Sequence, residues 1–289
     1  MTSVLAASRS ALKAALIAAR PDVVLDRNGY VGDARENLIE GVSIADFEAD
    51  LLQGDGNELA GKFRAAHSSS ALAVNTFGRF KSRPRELVLA ASRGFDAVQF
   101  ERKCPHGIIG RRSPNLDLLA EGASGVVAIE SKCLETLTPH AAVFSGAYNA
   151  EIRDYRRATP WFREMLLLTE APRRYRWLDA AQLVKHAFGI AHTFPEKPTI
   201  LLYLFWEPSD ADVHPIFSEH RAEITRFAKA IGGSTPNFLA MSYPELWRAW
   251  ENASAPLWLQ LHIERLKARY GIAIADAKAD PTHNVKYSV

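Results

Sequence analysis

The sequence predicts an α/β protein with a mixed central sheet and helices on both faces. Three observations carry this expectation. Asn115–Ala120 and Val126–Lys132 are two strand-like runs joined through Gly122, Ala123, Ser124 and Gly125, a hairpin loop signal. Thr199 to Trp206 is apolar throughout, as a central strand covered on both faces would be. Helical periodicity occupies much of the chain before the hairpin, between it and that strand, and after it.

The elements follow in order. Leu5, Leu12, Leu16 and Ile17 fall at helical spacing, and Pro21 ends that segment. Arg9 and Lys13 interrupt its apolar residues, so an amphipathic helix is expected rather than a secretory signal. Asn28-Gly29 marks a turn in the loop Arg27–Glu40, and Ser43 caps a short helix carrying Phe47, Leu51 and Leu52. Asn57 is expected to cap a helical stretch through Leu59, Phe63 and Ala66, with Leu72 on the following segment. Leu87 to Leu89 is a short apolar run, and Phe95 to Phe100 alternates as a strand. Beyond the apolar strand come a helix near His214–Ile231, a strand at Phe238–Met241, and a tryptophan-rich helix from Pro244 to about Tyr270. The tail from Ala275 is polar.

Composition narrows the function. The 289 residues are 47% hydrophobic, too apolar for a disordered chain, and no run of about 18 uncharged apolar residues is present. Two cysteines cannot build a disulfide framework, so a cytoplasmic protein is expected. The net charge of +2 hides a separation: residues 22–58 hold ten acidic and two basic residues, whereas residues 79–112 hold nine basic and three acidic ones. The basic stretch leads into the hairpin, and Arg173, Arg174 and Arg176 form a second cluster, as contact with a phosphate backbone would require.

The hairpin carries the chemistry. Centring its turn between Ala123 and Ser124 sets Asp117 opposite Glu130, and side-chain alternation puts Lys132 on the face of Glu130. Leu116, Leu118 and Ile129 would point the other way, into core. Two facing carboxylates at roughly 5 Å between Cβ atoms repel without a counter-charge. A divalent cation resolves the repulsion, and oxygen ligands suit Mg²⁺, with Mn²⁺ as a substitute. Lys132 could then orient or deprotonate an attacking water, or neutralise charge on a phosphate. Other constellations are weaker. Phosphate-loop, GxSxG and HExxH motifs are missing, and Ser68–Ser70 beside His67 reads as a polar helix segment. His214 and His220 are wrongly spaced for a helical metal pair. Trp247, Trp250 and Trp258 read as core or interface.

Pro114-Asn115-Leu116-Asp117 followed by Glu130-Ser131-Lys132 resembles the PD-(D/E)XK nuclease superfamily, with two residues between the proline and the aspartate. The resemblance spans roughly residues 50–206 and implies a restriction-endonuclease-like αβββαβ core with N- and C-terminal helical additions. It divides the chain into an N-terminal helical extension, residues 1–50, and a nuclease-like α/β domain, residues 51–289. It implies a Mg²⁺-dependent deoxyribonuclease leaving 5′-phosphates, with Asp117 and Glu130 on the metal and Lys132 beside the water. In the exonuclease-like branch a helix before the sheet adds an acidic ligand, for which Glu58 is the candidate. That branch also carries a glutamine with an aromatic four residues later; Gln182 is present, but His186 stands where a tyrosine is usual. Double-stranded DNA is the expected partner and no membrane is expected. A restriction-type endonuclease is favoured because no helicase motif is present, and a homodimer would suit double-strand cleavage. The alternative is a non-catalytic nucleic-acid-binding or interaction protein that keeps the nuclease fold.

Overall fold

In a computed structural model, which describes residues 3–53, 58–107, 115–151, 159–253 and 255–274, the chain forms one mixed sheet between two helical layers. Its strands are β1 (Phe95–Lys103), β2 (Asn115–Gly122), β3 (Gly125–Lys132), β4 (Thr199–Phe205) and β5 (Asn237–Ser242), arranged in sequence order. β1, β2 and β3 run antiparallel, while β3, β4 and β5 are parallel. The hairpin register is the expected one, with Gly122 opposite Gly125 and Leu118 opposite Ile129. Gly125 sits at φ +141°, and a Cβ there would lie 2.5 Å from the Pro198 carbonyl oxygen, so this turn requires glycine.

The helices are α1 (Ser3–Ala19), α2 (Glu48–Gln53), α3 (Ser69–Phe77), α4 (Gly146–Glu151), α5 (Pro160–Glu170), α6 (Ala180–Thr193), α7 (Pro215–Ala230), α8 (Tyr243–Asn252) and α9 (Leu257–Tyr270). One face of the sheet buries Leu118, Val127, Ile129 and Leu202 with residues of α1, α3, α8 and α9. The other buries Leu119, Ala128, Leu201 and Tyr203 with residues of α5, α6 and α7. β4 feeds both cores, which explains its unbroken apolar run. The buried Arg269 of α9 donates to the Leu12 and Ala66 carbonyl oxygens, at 3.0 and 2.6 Å, tying the last helix to the first. Among the described residues no helix is long and apolar enough to cross a membrane.

Several local expectations change. The tryptophan-rich segment is two helices, because Pro256 stands at the N-cap of α9 and the chain turns between them. The apolar run Leu87–Leu89 buries both leucines, with an isolated bridge from Leu89 to Ser92. The stretch assigned to a helix through Leu59 and Phe63 is a turn followed by a 3-10 segment, Lys62–Arg64; its expected cap, Asn57, lies outside the described residues. Leu116 does not share a face with Leu118. It packs with Leu119 and Ala128, whereas Leu118 packs with Ile129. The reason lies next door, where Glu101 of β1 adopts φ +49° and neither it nor Asp117 enters the β1–β2 ladder. Positive φ is uncommon for a residue with a Cβ, and here the strain lies beside the carboxylates.

Candidate active site

A cleft of about 410 Å³ opens at the C-terminal end of β3. Asp117, Glu130, Ser131 and Lys132 line it, with Glu101 and Asn115 beside them. Arg9, Tyr30, Glu58, Lys62, Ser69, Ser70, Glu135 and Gln182 complete much of its wall. Ser131 pins this end of β3 from the opposite side: its hydroxyl lies 2.6 Å from the Tyr243 hydroxyl and donates to the Ser69 carbonyl oxygen at 3.3 Å.

The β2–β3 ladder ends at Leu118 and Ile129. One step further Asp117 is not laddered to Glu130; its Oδ2 accepts from the Ser131 N–H at 2.7 Å. Glu130 and Lys132 continue the row of Val126 and Ala128, on the face covered by α6. Glu130 is 2% exposed. Its Oε1 meets Lys132 Nζ at 2.5 Å and its Oε2 meets His186 Nε2 at 2.7 Å. The imidazole contact is close but not aligned, so Oε2 and Nε2 each lack a well-directed hydrogen bond. Lys132 Nζ also donates to Gln182 Oε1 at 2.8 Å. Asp179 caps α6 through the Gln182 N–H, and Gln182 and His186, one turn apart, reach Lys132 and Glu130 respectively.

The electrostatics separate the two carboxylates. Burial pushes the Asp117 carboxyl well above the usual range, and the charges of Glu130 and Glu101 push it further. Burial acts the same way on Glu130, but Lys132 and His186 outweigh it and hold its pKa down at about 2. Burial disfavours the Lys132 charge, yet Glu130, Glu135 and Asp117 keep its ammonium above the ordinary lysine value. Near neutral pH this is an ionised Glu130, a cationic Lys132 and an Asp117 that resists ionisation.

The donor set fits a hard divalent cation. Two carboxylates meet at one cleft, where burial and the charge of Glu130 both oppose the ionisation of Asp117. Among the described residues no three acidic, histidine or cysteine side chains gather into a metal cluster. Glu58 therefore lines the cleft without joining Asp117 and Glu130 in a three-ligand set. It sits on a turn rather than a helix, with Ser70 Oγ 3.5 Å from its Oε2. Pro114, Arg111 and Arg112 lie outside the described residues.

Two contributors escaped the sequence reading. His186 was visible only as a departure from a tyrosine. Glu135 accepts from Ser69 Oγ and the Cys133 N–H, both at 2.7 Å, and no motif marks it. The basic stretch is also differently employed. None of its described basic residues lines the cleft. Arg79 and Arg83 lie over the Trp258 ring, each 4.9 Å from its centroid, and Lys81 pairs with Asp50 at 2.6 Å. Arg9, Lys62 and Lys132 are the basic residues of the cleft.

A family model described as restriction endonuclease associating with ARP matches residues 13–271. No match was found among curated proteins or among solved structures.

Proposed function

The chain belongs to the family described as restriction endonuclease associating with ARP, and from that membership we propose that it is a divalent-metal-dependent nuclease hydrolysing phosphodiester bonds in double-stranded DNA. The observation that carries this reading is the convergence of Asp117, Glu130 and Lys132 on one cleft, with Glu130 ionised and Asp117 held back by burial and by the Glu130 charge.

Asp117 and Glu130 would hold Mg²⁺ or Mn²⁺, with Glu58 as an outer acidic group engaged with Ser70. The cation, when bound, supplies positive charge at the scissile phosphate and lowers the pKa of a bound water. Lys132 is fixed as an ammonium, so its role is to donate: it orients the attacking water or the phosphate oxygen and offsets charge developing on phosphorus. It is not the base. Gln182 and Glu130 hold Nζ in place by each accepting one of its protons, which leaves a third for the water or phosphate. Arg9 and Lys62 on the wall supply the positive charge a phosphate backbone needs. The family's description also names an association with ARP, which we extend to this chain as part of the proposal.

Linear and plasmid DNA incubated with the protein in Mg²⁺, Mn²⁺ or EDTA test the reading. Cleavage in either metal, absent in EDTA and absent with Lys132→Ala, is expected. Cleavage that survives EDTA or Lys132→Ala refutes it. DNA binding without metal-dependent cleavage on any substrate would leave the non-catalytic role.

A further inference from the structure

We infer that His186 is a positioning residue for Glu130: it anchors Oε2 from the α6 side, so that the carboxylate presents its other oxygen, beside Lys132, to the metal. This rests on the nuclease reading and extends it to a residue outside the Asp, Glu and Lys set.

Three observations carry it. First, the contact is close and buried. His186 Nε2 lies 2.7 Å from Glu130 Oε2, and the two residues are only 1% and 2% exposed. Secondly, the α6 surface around this imidazole is apolar. Its neighbours on α6, including Leu183, Val184 and Ala187, bury apolar surface against the sheet. Tyr203, the partner of Glu130 on β4, directs its hydroxyl instead to His220 Nε2, at 3.1 Å. Thirdly, the division of labour is geometric. Lys132 holds Oε1 at 2.5 Å and borders the cleft, while His186 holds Oε2 on the buried side. A carboxylate tethered through one oxygen cannot rotate freely, and a ligand fixed before the metal arrives loses less freedom on binding. The misaligned contact also leaves room to tighten when a cation draws on Oε1.

The test measures Mn²⁺ binding by calorimetry, with DNA affinity measured separately in EDTA. His186→Leu, close in volume but without a donor, should weaken Mn²⁺ binding about 10–100-fold while DNA affinity stays within about twofold. His186→Gln, whose amide nitrogen can take the place of Nε2, should restore most of the loss. Cleavage at limiting Mn²⁺ should follow the same order, with kcat recovered at saturating metal and KM for DNA unchanged. Wild-type Mn²⁺ affinity in His186→Leu overturns the inference, as does a His186→Gln variant as weak as His186→Leu. If the leucine variant does not fold, His186→Asn, whose amide is too short to reach Oε2, replaces it, and wild-type affinity there overturns the inference equally. A wild-type protein that binds no Mn²⁺ and cleaves no DNA sinks the nuclease reading and this inference together. Metal binding indifferent to residue 186 sinks the inference alone.

Discussion

Two glutamates of the β2–β3 hairpin each meet a lysine at 2.5 Å, one at either end. Glu121 meets Lys197 at the loop end, and Glu130 meets Lys132 at the cleft. The distances are equal and the surroundings are not. The side chains of the first pair are 42% and 35% exposed; those of the second are 12% and 2% exposed. Water screens the first pair and relieves either partner if the other leaves. The second pair has no such recourse, and it shares its pocket with Asp117, whose ionisation is opposed by burial and by the Glu130 charge. The difference teaches that contact length does not mark a functional ion pair. Burial beside a second carboxylate is what sets the pair of the proposed site apart.

The largest expected effect breaks the buried pair. Lys132→Met keeps most of the aliphatic stem and removes the charge. DNA cleavage should fall about 10²–10⁴-fold. In EDTA, unfolding free energy should fall by about 3 kcal/mol, since Glu130 is left charged and buried. Adding Glu130→Gln should recover much of that stability without recovering cleavage. Denaturant melts of the single and double variants decide the matter. A double variant no more stable than Lys132→Met would show that packing, rather than an uncompensated charge, holds this end of β3.

These distinctions were unevenly legible in the sequence. The sheet was readable because its signals are local: glycines at 122 and 125 fix the turn, and an unbroken apolar run marks β4. The pairing of Glu130 with Lys132 followed from alternation along one strand. What failed depended on distant contacts. No local pattern announces that Arg79 and Arg83 lie over the Trp258 ring or that Lys81 pairs with Asp50. The reversal at Glu101 has no sequence mark, because glutamate is not a residue that announces positive φ. It displaces Asp117 from the regular ladder and moves Leu116 to the other core. His186 acquires meaning only when α6 is laid across β3, which no spacing within α6 could disclose.

A smaller effect sharpens the comparison through pH. The folded chain holds the Asp117 proton to higher pH than the unfolded chain does. Between the unfolded value, near 4, and the raised folded one, the unfolded state binds fewer protons, so stability falls as pH rises. Asp117→Asn escapes that loss. In EDTA its melting temperature should exceed that of the wild type by a margin that grows from about pH 4 upward. Glu130 acts in the opposite sense. Its folded value of about 2 means its stabilisation is lost as pH falls from 4.5, and both proteins share that limb. Saturating Mg²⁺ should reverse the order, because only the wild type keeps both carboxylates for the ion. A margin independent of pH would mean that burial and the neighbouring charges do not hold the proton on Asp117.

The smallest effect belongs to the exposed pair, and it is the control on which the comparison turns. Lys197→Met or Glu121→Gln removes a contact as short as the one at the cleft. Each partner left behind is hydrated, so the loss should be only about 0.2–1 kcal/mol and should shrink further in 1 M salt. Cleavage should not change, since neither residue lines the cleft. Urea melts at low and high salt, beside a cleavage assay, measure both quantities. A loss above about 2 kcal/mol, insensitive to salt, would mean that Lys197 locks the hairpin to the approach of β4 as firmly as Lys132 holds Glu130. Burial would then no longer explain why one pair belongs to a site and the other only to a surface.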